Sequence, residues 1–477
     1  MSRHTTFRFC LDVTVEQEEV LARHVGAARF AFNQCLRLHL QARKGDAPSA
    51  DDADVTVPWS GFDLINAFNA WKRSEAAGRR FRVDVRGVAE LEVTGLVWRG
   101  EVVAQVFEEA AVDLGRALKA WTTARAHGNR RAGHPRFKKK GATGSFRIRN
   151  RTTRGPTIQV GGDRPRSVTL PKIGTLRVRE DTRRLRRMIA TGRARVLFAT
   201  VSRNAAGRWS IALTAEAADL HPKAQHPPRA PGDASGWVGV DRGLTALVVA
   251  GTADGAQTLR VERAPWSARS EAARTRRLAR SLARKQKGSR NRARAAARLA
   301  RHHAHLRARR RHLLHQVSGQ LVKTHDRLVL EDLHVAGMLA NHRLAAAISD
   351  AAWAELARQI RYKQAWHGGQ VLLADRWFAS SKTCSACGKC KDALSLSERT
   401  YRCAACGLVI DRDLNAAFNL AAWATRHTSD TAQGAGDRQA DGPVTNAHRR
   451  DGSGPRASAS ETSPDDVGTG PQAGHPA

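Results

Sequence analysis

Acidic residues are scarce in this chain. Its 477 residues hold 80 Lys and Arg against 44 Asp and Glu, a formal net charge of +36 with a pI of about 11.3. Between Glu271 and Asp326 there is no acidic residue at all, while Arg and Lys recur throughout. Such an excess repels itself, and its usual partner is nucleic-acid phosphate. Also missing is any apolar run long enough to span a bilayer. The opening MSRHTTFRFCLDVTVEQEEV is polar and alternating, unlike a signal peptide. The expectation is an intracellular protein with no membrane partner. Tyrosine occurs only twice, at Tyr362 and Tyr401.

What is there is enough to fold. The apolar fraction is 41 %, and the length allows two or three domains. TTFRFCLDVT alternates and predicts a strand. VEQEEVLARHVGAARFAFNQCLRLHLQAR has helical spacing, as do Phe62, Ile65, Phe68 and Trp71, and Val103, Phe107, Ala110, Leu114 and Leu118. Residues 45–55 form an acidic loop between them. From GHPRFKKKGATGSFRIRN the texture changes to short alternating segments bounded by Gly, Pro and Asn, which predict antiparallel strands of a small barrel or sandwich. HPKAQHPPRAPGDASG reads as a linker. WVGVDRGLTALVVAG then opens a domain with an apolar strand. Two Arg-rich helices broken at KGSRN follow, then the strand RLVLEDL, a helix, the strand QVLLADRWF and a final helix DRDLNAAFNLAAW. Strands alternating with helices imply an α/β sheet. Beyond about Thr425 the composition is that of a disordered tail.

Five of the seven cysteines crowd into CSACGKC…YRCAACG; Cys10 and Cys35 stand apart and are expected to be buried thiols. Two C-x-x-C turns supply the four thiolates that tetrahedral zinc requires. Cys390 offers an alternative pairing with Cys387. Cys387 and Cys406 are each followed by Gly, which permits the positive-φ turn around the sulfurs, and this favours Cys384, Cys387, Cys403 and Cys406. Four cysteines leave no open position, so the zinc is expected to be structural.

Asp241 ends the strand in GVDRGL, Glu331 ends that in LVLEDL, and Asp411 or Asp413 follows the cysteine segment. Each singly could be a cap or turn residue, as Asp332 and Asp411 are read. Together, in a basic protein, they suit Mg²⁺, a hard ion that takes carboxylate and phosphate oxygens. Bound Mg²⁺ supports phosphodiester hydrolysis.

These motifs resemble the TnpB family of transposon-encoded, RNA-guided DNA endonucleases, related to compact type V CRISPR nucleases. The resemblance runs from Thr6 to about Ala422, through FRFCLDVTVEQEEVLARHVGAARFAFN, GHPRFKKKGATGSFRI, VTLPKIGTLRVR, GRWSIAL, GVDRGL, VLEDL, RWFASSKTCSACG and DRDLNAAFN. It implies a multidomain α+β chain. Residues 1–13 would be the first strand of a wedge-like β-barrel, 14–130 a helical recognition lobe inserted in it, and 131–220 the rest of the barrel. After a linker at 221–236, residues 237–424 would form an α/β RuvC-like nuclease of RNase H fold, with a zinc ribbon inserted at 381–409. Residues 425–477 would be the tail. The catalytic, Mg²⁺-holding acids fall on Asp241, Glu331 and Asp413, with Asp411 the fallback. The partners implied are a guide RNA from its own locus and target DNA, in the cytoplasm at the nucleoid. Arg136, Lys138, Lys139 and Lys140, and the helices from Arg274 to Arg311, are candidate nucleic-acid contacts. Base pairing would read sequence while the protein holds phosphates, so few aromatics are needed. A catalytically silent guide-directed DNA-binding repressor and a compact CRISPR effector are the alternatives. A strand-rejoining enzyme with a tyrosine nucleophile finds no good candidate in Tyr362 or Tyr401.

Overall fold

The computed structural model describes residues 3–44, 57–217, 224–262 and 269–433, apart from 84, 86, 142, 152–154, 163, 231 and 396. The acidic loop at 45–55 and the tail from 434 onward lie outside the described residues. The chain divides near residue 218 into two compact units.

The first unit opens with β1 (Arg3–Asp12), followed by α1 (Val15–Lys44), α2 (Gly61–Trp71), the hairpin β2 (Arg79–Val83) and β3 (Ala89–Thr94), and α3 (Ala104–Ala126). Then come β4 (Gly144–Arg149), β5 (Gln159–Val160), β6 (Ser167–Leu170), β7 (Gly174–Val178), α4 (Arg183–Ala190), β8 (Ala194–Arg203) and β9 (Trp209–Ala217). Seven strands form one sheet in the order β4-β8-β9-β1-β7-β6-β5, so the helices and the hairpin intervene between β1 and the rest of its sheet. β1 pairs with β9 along Arg3–Cys10 and with β7 at Leu11 and Asp12. Among the described residues the pairing leaves β4 and β5 at the ends and does not close into the expected barrel.

Strand alternation corrects one cysteine. Phe9 and Leu11 face the core, so Cys10 between them is exposed, whereas Cys35 on α1 is fully buried. Glu109 of α3, itself buried, accepts from Arg147 at 3.1 Å and from Arg149, tying the helices to β4. The β2–β3 hairpin lies inside the stretch read as helical. Its alternation, RRFRV…AELEV, was available in the sequence, but every residue of β2 is exposed, so no core demand marks it.

The second unit contains β10 (Trp237–Asp241), β11 (Ala246–Thr252), β12 (Gln257–Glu262), α5 (Arg269–Ala283), α6 (Arg290–Thr324) and β13 (Arg327–Glu331). It continues with α7 (Val335–Met338), α8 (Ala345–Ala351), α9 (Trp353–His367), β14 (Gln370–Ala374), β15 (Thr400–Arg402), β16 (Val409–Asp411) and α10 (Arg412–Gln433). Its five-stranded sheet has the order β12-β11-β10-β13-β14. β10, β11 and β12 are antiparallel neighbours, and β13 and β14 run parallel to β10. WVGVDRGLTALVVAG is therefore two strands, broken after Asp241, and β11 and β12 go beyond the sequence expectation. Buried Leu314, Val317, Leu321 and Val322 of α6 and Leu356 and Ile360 of α9 cover one face, and α10 covers the other.

The Pro-rich stretch read as a linker is pinned to this unit. His226 donates its N–H to the His367 carbonyl at 2.7 Å, and Arg229 pairs with Asp326 and, at 2.8 Å, with Asp233. α10 also runs beyond 424, where the tail was expected to begin. Thr428 accepts from the Trp237 indole at 3.1 Å, and Trp423 stacks on His427 at 4.1 Å, so the added turns have partners. Among the described residues no helix is long and apolar enough to cross a membrane.

One close approach sets the geometry of the second face. A Cβ on Gly239 of β10 would stand 1.9 Å from the Ala417 carbonyl oxygen of α10. Backbone oxygen cannot yield as a side chain can, so Gly239→Ala must lift the helix from the sheet. We expect a loss of about 3 kcal/mol, the upper end for overpacking, read as a lower midpoint in chemical denaturation. The same substitution at exposed Gly133, which has no neighbour within 4 Å, serves as the control.

Candidate active site

The site follows from that approach by counting. Side chains two residues apart on a strand share a face, and those four apart on a helix share a face. Gly239 faces Ala417, so Asp241 faces the same way as Gly239, and Asp413 the same way as Ala417. Two residues along a strand cover about 6.6 Å and four along a helix about 6 Å, so the two carboxylates arrive at one level. Glu331 completes the set. β13 is parallel to β10 with Gly239 opposite Val329 and Val240 opposite Leu330, which puts Glu331 beside Asp241 at the strand ends. Crevices at the carboxyl ends of parallel strands are where open α/β sheets bind ligands.

The electrostatics agree with this counting. Asp241 and Asp413 are both buried. Burial holds the Asp241 carboxyl well above its usual range, and the charges of Glu331 and Asp413 push it further. Asp413 is likewise raised, by burial first and then by Asp411. A buried Asp241 with two further acids beside it is costly unless a cation joins them. Arg242 lies beneath, buried, donating to the Trp353 carbonyl at 3.2 Å and to the Glu331 carbonyl. It ties the end of β10 to β13 and to the start of α9 through backbone oxygens.

Asp411 has a different occupation. It precedes α10, accepts from the Leu414 N–H at 3.0 Å as an N-cap does, and pairs with Arg260 at 3.3 Å. Asp332 is paired with Arg376 at 2.5 Å and half exposed.

The cysteine segment forms two knuckles. The Gly388 N–H reaches the Cys384 carbonyl at 2.9 Å and the Gly407 N–H reaches that of Cys403 at 3.0 Å. Gly388 and Gly407 both have φ of +75°. The Sγ atoms of Cys384, Cys387, Cys403 and Cys406 lie within 4.8 Å of one another, with 3.6 Å across two of the pairs. A tetrahedron with Zn–S near 2.3 Å has edges of about 3.8 Å, so the donor set fits zinc. The backbone N–H groups of Cys406 and Ala405 pull the Cys403 thiol down to about 6, towards the thiolate that zinc binds, while burial and the neighbouring thiols push Cys406 up, as expected of thiols crowded together without a cation. Cys390 is outside this set: it makes an isolated bridge with Thr383, and its Sγ is directed to the Lys391 carbonyl at 3.6 Å.

Three polar residues without a role in the sequence reading join the two sites. Asn415 of α10 donates to the Thr383 carbonyl at 2.7 Å and accepts from the Ser385 N–H at 2.9 Å. Asn419 donates to the Ser380 and Thr383 carbonyls at 2.8 and 2.6 Å. The Ser380 hydroxyl donates to Glu331 Oε1 at 2.6 Å. The available signal was two buried asparagines four apart in an otherwise apolar helix stripe, since buried amides need partners.

Arg136, Lys138, Lys139 and Lys140 lie in the first unit, all exposed. Their segment is fastened to α1: the Lys138 N–H donates to Asn33 Oδ1 at 2.7 Å, and Asn33 donates back to the Lys138 carbonyl at 2.9 Å. Lys138 also places its ammonium 3.7 Å from the Phe32 ring centre.

Three family models match. One described as "Probable transposase" covers residues 222–342, "Cas12f1-like, TNB domain" covers 353–420, and "Helix-turn-helix domain" covers 1–46. A Mycobacterium tuberculosis H37Rv protein named "Putative RNA-guided DNA endonuclease" is 36 % identical over 428 residues, 87 % of this chain and 85 % of its own. The chain belongs to the TnpB family. A Streptomyces pristinaespiralis TnpB relative with the same name is 32 % identical, over 87 % of this chain and 88 % of its own. The Escherichia coli K12 relative InsQ, of that name too, is 28 % identical, over 88 % and 92 %. Among solved structures, a Cas12f1–sgRNA–target DNA complex aligns with a TM-score of 0.46 at 12 % identity, over 88 % of this chain and 99 % of that one.

Two outcomes test this geometry. Replacing any of Cys384, Cys387, Cys403 or Cys406 by Ser should remove zinc from the purified protein by elemental analysis, whereas Cys390→Ser should retain it. Asp411→Ala should cost about 1 kcal/mol, the usual loss of an N-cap, in denaturant unfolding.

Proposed function

We propose that this protein is a transposon-encoded, RNA-guided DNA endonuclease whose cleavage centre is Asp241, Glu331 and Asp413. The observation that carries the reading is the convergence of these three acids, 172 positions apart in sequence from first to last, at one strand end of a chain of net charge +36. The sheet order, three antiparallel strands followed by two parallel ones on the far side of β10, suits a RuvC-like domain of RNase H fold.

Asp241, Glu331 and Asp413 would hold Mg²⁺. Bound there, Mg²⁺ supplies a water made acidic enough to attack at neutral pH and a Lewis acid for the scissile phosphate. The chain's own residues prepare for this. Arg242 fixes the strand ends, Asp411 starts the helix that carries Asp413, and the four-cysteine site holds zinc as a brace.

The guide RNA and target DNA would be gripped through phosphate. Exposed Arg274, Arg276, Arg277, Arg280 and Arg284 on and after α5 suit a heteroduplex backbone, as do Arg136, Lys138, Lys139 and Lys140 in the first unit. The helices at 14–130 serve as the recognition lobe in this reading, and the RNA comes from the protein's own locus. The nucleoid is then the place of action.

The test is cleavage of a plasmid library that carries one guide-matched target beside randomised flanking bases. Protein purified with RNA from its own locus should deplete a single flank with Mg²⁺. Asp241→Ala, Glu331→Ala and Asp413→Ala should each cut at least about 10³-fold more slowly while keeping the RNA, a range expected for loss of a chemical step. Retained RNA with no depletion by wild type points to a guided binder instead.

Removing one charge from the buried cluster has a second consequence. Metal-free Asp241→Asn should melt higher than metal-free wild type, because burial and like charge both oppose the ionised carboxyl. Added Mg²⁺ should raise the wild-type melting temperature more than that of the variant.

A further inference from the structure

Glu331 sits at the end of β13 with one carboxylate oxygen engaged by a group that the reaction does not require. Its Oε1 accepts from the Ser380 hydroxyl at 2.6 Å. Ser380 is 3 % exposed, so water does not compete for that bond. Glu331 itself is less buried than Asp241, and a glutamate has one more rotatable bond than an aspartate. Of the three acids it has the most freedom to lose.

Ser380 is not placed by its own strand. It follows β14 in the connection to the cysteine knuckles. Its carbonyl is held by Asn419 at 2.8 Å, and the same amide holds the Thr383 carbonyl at 2.6 Å. Thr383 is also held by Asn415 at 2.7 Å, and the residue after Thr383 is Cys384 of the thiolate set. Tyr401 of β15, fully buried, donates to the Lys382 carbonyl at 3.0 Å. A continuous set of backbone anchors thus runs from the knuckles to the serine. α10, which supplies the two asparagine anchors, also supplies Asp413.

We infer that Ser380 is the positioning residue for Glu331, aiming its carboxylate into the Asp241–Asp413 cluster from a mount set by Asn419 and the cysteine knuckles. The inference rests on the reading of Asp241, Glu331 and Asp413 as a divalent-cation site. A donor to one oxygen leaves the other free for a cation and removes the rotamers that point away. Loss of such a partner typically weakens metal affinity about 10-fold or more. Ser380 thus affects how well the cluster takes up its cation.

The experiment is a double-mutant cycle read as Mn²⁺ affinity of the full-length protein, by the electron paramagnetic resonance signal of free Mn²⁺. The four proteins are wild type, Ser380→Ala, Glu331→Gln and the double variant. Zinc content and melting temperature are measured on each. The expected result is an affinity about 10-fold weaker in Ser380→Ala, with zinc retained, and no further weakening when Ser380→Ala is added to Glu331→Gln. The Mg²⁺ midpoint for cleavage should rise in parallel, with the rate at saturating Mg²⁺ largely recovered. An unchanged affinity in Ser380→Ala overturns the inference. So does a loss that persists undiminished in the Glu331→Gln background, because the serine then acts elsewhere. If Ser380→Ala loses zinc or unfolds, Asn419→Gln replaces it in the cycle; equal Mn²⁺ affinity in that variant and wild type overturns the inference as well. A separate control, Asp241→Asn, isolates the underlying reading. If it leaves Mn²⁺ affinity at the wild-type value, the cluster is not the cation site, and the inference falls with it.

Discussion

The second unit depends on a helix lying directly on backbone. α10 meets β10 where the strand has no side chain, at Gly239 against the Ala417 carbonyl. The helix face that makes this approach is built of small residues, with Ala416, Ala417, Ala421 and Ala424 all buried. Close contact fixes rotation and height of the helix together. It therefore determines where Asp413 stands relative to Asp241, and it does so with rigid elements rather than loops, as precise sites require. A bulkier stripe would keep the fold and misplace the carboxylate.

That contact also explains why the cysteine knuckles occur where they do. The chain must cross from the end of β14 to the start of α10, passing the open end of the cluster. A flexible connection would leave Ser380 without a fixed position and α10 without a fixed start. The knuckles and the β15–β16 pair give this connection structure of its own, and Asn415 and Asn419 fasten it to the helix that follows. The buried amides satisfy carbonyls that the tight turns leave unpaired. The four-cysteine cluster and the carboxylate cluster thus share one set of hydrogen bonds.

Much of this was legible from the residues. Strand-end acids, paired C-x-x-C turns with following glycines, and the acid-free run after Glu271 each have a local signature. Asp411 and Asp413 were not separable by spacing, since both sit at a helix start; the difference is that one caps and the other lies on the Ala417 face. Elements without burial contrast were missed. The β2–β3 hairpin exposes nearly all its side chains, and β11 merges in sequence with β10 because both are buried along nearly their whole length and show no alternation. Closure of the first sheet depends on strand partners far apart in sequence, and local alternation says nothing of it. Asn415 and Asn419 left only the weak signal of two polar residues in an apolar stripe, and Ser380 left none, because its partner Glu331 lies 49 positions away in sequence.

The order of the acids along the chain has a consequence for synthesis. β10 carries Asp241, Glu331 follows ninety residues on, and Asp413 comes on the last described helix. A ribosome releases these in turn, and domains begin to fold from the amino-terminal side as they emerge. The basic helices α5 and α6 are therefore made while the carboxylate cluster still lacks its third member. The three acids can therefore meet only once α10 has been made, whatever has folded before it.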